Sequence, residues 1–272
     1  MARKKKKSEA YYIGQGFKYL GLGIYHTARG GYLATRWIIR KAKENKVELI
    51  KKEANKSTTK HDSLKELKKI NGDLKKFEEK LHNSNSLIGI ILGARGKGKS
   101  AIGMRFLENF KEKTTKKVYA IGFKKETLPS WIKSISSISE LENDSIILID
   151  EGGIEFSSRS SMSPANKLLS ELLLISRHKD TTVLFITQNS SNLEINALRQ
   201  ADFLILKPSS LLQLDFERKK IKDIYKEAEE HFEKLKNDLG LTYIYSDQYK
   251  GFVSNSLPSF WSEKISKSYS KA

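Results

Sequence analysis

The chain has 272 residues, of which 50 are Lys or Arg against 32 Asp or Glu, a formal net charge of +18, and it contains no Cys. Such a length suits one sizeable α/β domain with an appendage and is short for two, while the lack of Cys excludes disulfides, thiolate zinc sites and thiol catalysis. The charge is uneven: residues 1–56 hold 15 Lys/Arg against 4 Asp/Glu, whereas residues 87–272 hold 28 against 23, so attraction to polyanions concentrates at the N-terminus.

The first residues, Arg3-Lys4-Lys5-Lys6-Lys7, form a cationic tip that self-repulsion keeps unfolded until it meets a polyanion, or that serves as a solubilising tail. Ser8-Glu9 and Lys18 interrupt any signal-peptide pattern, and no run reaches the roughly 20 apolar residues that cross a bilayer. The expectation is a cytoplasmic protein, in a host cell or with a virion if viral, with a peripheral membrane position as an alternative. Tyr11 to Ile39 mixes Tyr11, Tyr12, Phe17, Tyr19, Tyr25, Tyr32 and Trp37 with six glycines and with Arg29 and Arg36. Aromatics interleaved with cations suit stacking on bases or lying at a membrane surface, and equally packing on a neighbouring core or subunit.

From Asp62 to His82 the apolar residues Leu64, Leu67, Ile70, Leu74, Phe77 and Leu81 recur at spacings of three and four, behind Ser63 and Glu66 in the form of a capping box. The pattern predicts an amphipathic helix of about six turns. His82 to Ser86 then reads as a polar linker. The domains expected are therefore 1–86, a basic, aromatic-rich, helical extension, and 87–272, the main domain with a C-terminal helix and tail.

Leu87 to Leu92 is a continuous apolar run, and it feeds Gly93-Ala94-Arg95-Gly96-Lys97-Gly98-Lys99-Ser100, a complete G-x-x-x-x-G-K-S loop, with helix-prone Ala101 to Leu107 behind it. Strand, loop and helix together make this a phosphate-binding P-loop. Glycines let successive backbone N–H groups turn inward around the phosphates. Lys99 supplies a charge to the β- and γ-oxygens, Ser100 offers a hydroxyl to Mg²⁺, and the helix from Ala101 points its N-terminus at the anion. ATP and Mg²⁺ are the expected cofactors.

Lys117 to Phe123 and Ser145 to Ile149 read as further buried strands, Ala165 to Arg177 as a helix, Thr182 to Thr187 and Ala201 to Leu206 as two more strands, and Leu214 to Leu239 as a solvated helix. Strands alternating with helices imply a mainly parallel sheet flanked by helices, with ligands at the carboxyl ends of the strands. Asp150-Glu151 directly follows one strand in the form of a Walker B element. Asp150 is placed to hold Mg²⁺ through water, and Glu151 to orient and deprotonate the attacking water. Gln188 ends the next strand, where its amide can report the γ-phosphate or position water. Arg177, beside His178, is a candidate arginine finger for a neighbouring subunit's nucleotide or a helix-end cation, with Arg159 and Arg199 as alternatives. The serine-rich loop Gly152 to Pro164 is a candidate partner-contacting segment.

Taken together, Gly93 to Ser100, Ile146 to Glu151, Ser176-Arg177-His178 and Val183 to Gln188 resemble the FtsK/HerA superfamily of DNA-pumping ATPases. Within it the likeness is to small genome-packaging and Zot-like ATPases of archaeal viruses and mobile elements. This resemblance, over about residues 87–210, implies a RecA-like P-loop NTPase that assembles as a pentameric or hexameric ring on double-stranded DNA. It implies the roles above for Lys99, Ser100, Asp150, Glu151, Gln188 and Arg177. The resulting expectation is a DNA translocase of the packaging kind, with residues 1–56 docking on DNA, a capsid or a membrane. Its rivals are a membrane-associated Zot-like assembly or secretion ATPase and a nucleotide-switched DNA-binding loader with slow hydrolysis.

Overall fold

The computed structural model describes residues 35–36, 40–41, 58–153, 164–262 and 265, and the statements below concern these. The chain divides by contacts into two units, Met1–Lys52 and Glu53–Ala272. Of the first unit, Thr35, Arg36, Arg40 and Lys41 are helical. The cationic tip, the aromatics of residues 11–34 and 37–39, and Arg159 with its serine-rich neighbours lie outside the described residues. No helix among the described residues is long and apolar enough to cross a membrane.

The second unit is built on a sheet in which nine strands are described: β1 (Lys65–Gly72), β2 (Ile88–Leu92), β3 (Lys117–Ile121), β4 (Ile132–Ser134), β5 (Ser145–Asp150), β6 (Thr181–Ile186), β7 (Phe203–Leu206), β8 (Leu241–Ser246) and β9 (Tyr249–Ser254). Their order is β1-β9-β8-β7-β2-β6-β5-β3-β4. The run from β7 to β4 is parallel, and β8, β9 and β1 extend it antiparallel. The central strands are apolar on both faces because both faces are covered. Ile146 and Leu148 join Ile91, Leu184 and Ile186 in one cluster, while the alternate residues Ile147 and Ile149 join Ile90, Val183 and Phe185 in the other.

Helices α1 (Leu74–Asn83) and α2 (Lys99–Lys113) supply Phe77, Leu81, Ile102, Phe106 and Phe110 to the first cluster. Helices α3 (Pro164–Ile175), α4 (Ile195–Gln200) and α6 (Lys219–Lys234) supply Leu169, Leu172, Ala197, Ile221, Ile224 and Phe232 to the second. This is the expected α/β architecture with a mostly parallel sheet and helices on both faces.

Two local expectations are corrected. The six-turn helix over 62–82 is instead β1 followed by α1. Gly72 has φ +80°, and a Cβ there would lie 2.1 Å from the Gln248 carbonyl oxygen, so the chain turns where a helix would have continued. Asp73 then caps α1, accepting from Lys75 N at 2.8 Å and Lys76 N at 3.3 Å. Because β1 pairs with β9, residues 65–83 lie in the same contact unit as the rest of the sheet. Lys65, Lys68 and Lys69 lie along this outer strand, where charge discourages edge-to-edge association.

The second correction concerns Leu214 to Leu239, which is not one helix. The short helix α5 (Leu211–Phe216) stops before α6 because Glu217 adopts an extended backbone and turns inward. At the C-terminal side, β8 and β9 form an antiparallel hairpin.

Candidate nucleotide-binding site

Between β2 and α2 the loop Gly93 to Gly98 is wound tightly: Gly93, Gly96 and Gly98 have φ of 147°, 78° and 86°. Gly93 is required by space as well as by conformation, since a Cβ would lie 2.6 Å from Cβ of Lys207. The Ala94 N–H donates to Pro208 O at 3.0 Å, fastening the loop to the end of β7. Lys99, largely buried, donates from Nζ to the carbonyls of Gly93 (2.8 Å) and Ala94 (3.0 Å). Its ammonium is therefore held over the loop's mouth. Burial pushes its pKa down, and the facing Asp150 and Glu151 push it back up.

The sheet order decides what meets the loop. β6 lies between β2 and β5, with Ile91 opposite Ile186 and Asp150 opposite Ile186 in the two ladders. The ends of β5 and β6 therefore converge on α2's N-terminus. Ser100 Oγ donates to Asp150 Oδ2 at 2.9 Å, and Gly152 N donates to Asp150 Oδ1 at 3.1 Å. Glu151 accepts a hydrogen bond from Thr187 Oγ1, with Asn192 as a second side-chain partner. Both carboxyls sit above their ordinary pKa, first because burial disfavours the charged form; the Ser100 and Thr187 hydroxyls oppose that shift.

A cleft of ≈ 620 Å³ joins these groups, lined by Arg95, Gly96, Gly98, Lys99, Ser100, Ala101, Asp150, Glu151, Gly152, Ile186, Thr187, Gln188, Asn192, Leu257 and Trp261. Among the described residues no cluster of three or more His, Asp or Glu makes an all-protein metal cage. A hydroxyl and a carboxylate 2.9 Å apart beside a phosphate cradle instead fit Mg²⁺, which takes one or two protein oxygens and completes its shell with water and phosphate oxygens. Ser100 and Asp150 are the residues that would hold it.

Thus the sequence-selected residues Gly96, Gly98, Lys99, Ser100, Ala101, Arg95, Asp150, Glu151 and Gln188 line one cleft, with Gly93, Ala94 and Lys97 in the same loop. Gln188 is exposed at the rim, and its backbone carbonyl accepts from Gln213 Nε2. Arg177 is not brought there. It is an exposed residue after α3, before the amino end of β6, and the six residues of β6 place it roughly 20 Å from the carboxyl end.

Sequence reasoning passed over Thr187 and Asn192, which hold Glu151, and Glu217, whose carboxylate takes the Ser190 N–H at 3.1 Å and so fixes the loop after β6. It also passed over Lys207. That side chain is 1% exposed, lies behind the P-loop, and donates to Gly240 O (3.0 Å), Leu241 O (3.1 Å) and Asn255 Oδ1 (2.8 Å). Its charge in an otherwise apolar strand end was the available signal.

The family model for zonular occludens toxin (Zot) matches residues 91–203, a span that contains the P-loop, Asp150, Glu151, Thr187 and Gln188. No curated protein sequence matches the chain. Among solved structures, similarity is found to the genome packaging NTPase B204 of Sulfolobus turreted icosahedral virus 2 in complex with ATP-gammaS, at 18% identity and TM-score 0.44, over 64% of this chain and 100% of that one. The N-terminal domain of zonular occludens toxin from Neisseria meningitidis is similar at 15% identity and TM-score 0.33, over 68% and 98%. EssC (ATPases 2 and 3) from Geobacillus thermodenitrificans is similar at 11% and 0.42, over 76% and 46%. With a P-loop whose lysine and serine face an Asp-Glu pair, and with the Zot match laid over that same span, the chain is a P-loop ATPase similar to the Zot family.

Proposed function

We propose that this ATPase is a motor that couples ATP hydrolysis to translocation of double-stranded DNA, in the manner of a viral or mobile-element packaging machine. The observation that carries the hydrolytic part is the placement of the Glu151 carboxylate at the cleft, oriented by Thr187, beside the Lys99–Ser100–Asp150 cradle. In that arrangement Lys99 and the loop N–H groups bind the phosphates, and Glu151 orients the attacking water and takes its proton. Mg²⁺ at Ser100 and Asp150 would neutralise charge that builds on the phosphoryl oxygens. Gln188, at the end of β6, is positioned to contact the terminal phosphate or the water.

The DNA part is supported by the +18 net charge, concentrated in residues 1–56. A ring supplies the coupling: hydrolysis at one subunit boundary repositions its neighbour. Arg177, remote from its own cleft and exposed, is available to a neighbouring subunit as a trans-acting arginine.

The test is ATP hydrolysis by the full chain against protein concentration, with and without duplex DNA, for wild type, Glu151→Gln, Arg177→Ala and mixtures of the two variants. The motor reading expects cooperative, DNA-stimulated turnover, and partial recovery when the variants are mixed. Turnover indifferent to concentration and DNA, with no recovery, removes the motor and the trans arginine. The Zot match also favours a second reading, an assembly or secretion ATPase at a membrane. Flotation of the full chain with anionic vesicles, lost when residues 1–56 are deleted, would favour that reading.

A further inference from the structure

The two ends of the cleft differ in chemistry. Its phosphate end is marked by Lys99, Ser100 and Glu151, and the remaining lining includes Ala101, Leu257 and Trp261. There the wall is made by a different part of the chain, the segment after β9. Leu257 is 58% exposed although it lines the cleft, and Trp261 beside it is half-buried. Ile186, another apolar lining residue, is 1% exposed in the sheet. Among the apolar side chains that line the cleft, the two with accessible surface, Leu257 and Trp261, therefore both belong to this tail.

The tail is also fastened to the segment before β1 and to the helix that begins at the P-loop. Ser256 Oγ donates to Asp62 Oδ2 at 2.5 Å, the Leu257 carbonyl accepts from Arg105, and Ser259 N donates to Glu108 Oε2 at 3.0 Å. Arg105 and Glu108 are both buried side chains of α2, paired at 2.8 Å. Phe260 packs edge-on against Trp131 with ring centroids 5.3 Å apart, and the Trp261 N–H closes a turn onto Pro258 O at 3.0 Å. One aromatic is thus anchored beside Trp131, and its neighbour in sequence is left at the cleft.

We propose that Trp261, supported by Leu257, is the base-binding wall of this site: its ring stacks on the heterocycle of the nucleotide whose phosphates the P-loop holds. The proposal rests on the nucleotide-binding reading and adds the residue that recognises the base. A planar heterocycle covers the exposed apolar area, and the pinned tail presents the ring without a further ordering cost.

The experiment compares binding of ATP and of inorganic tripolyphosphate to the full chain, for wild type, Trp261→Phe and Trp261→Leu. Leucine keeps apolar bulk and removes the π-face; phenylalanine keeps a smaller one. Stacking of one base predicts that Trp261→Leu weakens ATP about 5- to 150-fold, leaves tripolyphosphate as in wild type, and is largely rescued by Trp261→Phe. ATP should also quench a Trp fluorescence component that disappears in Trp261→Phe, and tripolyphosphate should not; this readout does not depend on the leucine variant folding. Equal losses for ATP and tripolyphosphate, no loss for either, or quenching unchanged in Trp261→Phe overturns the proposal. A wild-type chain that binds neither ligand overturns the nucleotide reading itself.

Discussion

Thr187 donates its hydroxyl to the Glu151 carboxylate from the end of β6, the strand that separates the P-loop strand from the Asp150–Glu151 strand. The bond fixes the carboxylate's direction and opposes the upward pull of burial on its pKa. Thr187→Val keeps shape and removes the donor. Hydrolysis should fall about tenfold or more, as for loss of one hydrogen bond to a charged group. The acid limb of the rate profile should move to higher pH, because Glu151 then needs a higher pH to ionise, and Thr187→Ser should restore both. A pH–rate series checks this; an unshifted limb would show that Thr187 is packing alone.

Gly93 and Gly96 share positive φ but differ in what surrounds them. At Gly93 a Cβ meets Lys207 Cβ at 2.6 Å and its carbonyl oxygen at 3.0 Å, whereas at Gly96 no protein atom lies within 4 Å. Gly93→Ala should therefore lose stability by roughly 1–3 kcal/mol, the scale of backbone strain, with clash added. Gly96→Ala should cost only about 1–2 kcal/mol of left-handed backbone strain, yet weaken nucleotide binding, because Gly96 lines the cleft. Thermal unfolding beside nucleotide titration separates the two.

The P-loop and the Asp150–Glu151 pair were legible in sequence because each is a local string tied to a strand end, and the parallel sheet followed from apolar runs such as Ser145–Asp150. What stayed hidden depends on distant pairing. Lys65–Gly72 carries a helix-like spacing, but pairing with β9 overrides it, with Asn71-Gly72-Asp73 as the overlooked turn and cap. Glu217 breaks a helix because Ser190 takes its carboxylate. Trp261 reaches the cleft through contacts with residues about 150 positions earlier. Arg177 was read as an arginine finger or a helix-end cation, and its end of the sheet follows from strand direction.

Lys207 lies behind the P-loop with three oxygen acceptors, and burial pushes its pKa down to about 7 from 10.5, with Asp238 acting in the opposite direction. A lowered lysine pKa means the unfolded chain binds the extra proton between those two values. Stability should therefore rise with pH from about 7 to 10.5, at a slope of up to about 1.4 kcal/mol per pH unit from this group. Below pH 7 both states are protonated and the burial penalty is present in full. Lys207→Met should remove this slope, at the cost of the three hydrogen bonds to the Gly240, Leu241 and Asn255 oxygens. Denaturant melts of both proteins across the window check it; parallel pH dependences would place the titration elsewhere.

Arg105 and Glu108 form a buried pair on α2, 3% and 0% exposed, that ties together three stretches of chain. Arg105 donates to Lys60 O at 3.0 Å and to Leu257 O, and Glu108 takes the N–H groups of Lys60 and Ser259, each at 3.0 Å. Removing one partner leaves the other's charge buried and unpaired, so Arg105→Met should cost about 3–5 kcal/mol, and the double variant Arg105→Met, Glu108→Leu should recover a large part of it. The tail that carries Trp261 should loosen in both variants, because its Leu257 anchor is gone in each and its Ser259 anchor is gone as well in the double variant. Hydrogen exchange at residues 255–261 should then accelerate in the double variant even where urea melts show stability regained. A double variant whose tail stays protected would show that Phe260 on Trp131 holds the tail without the ion pair.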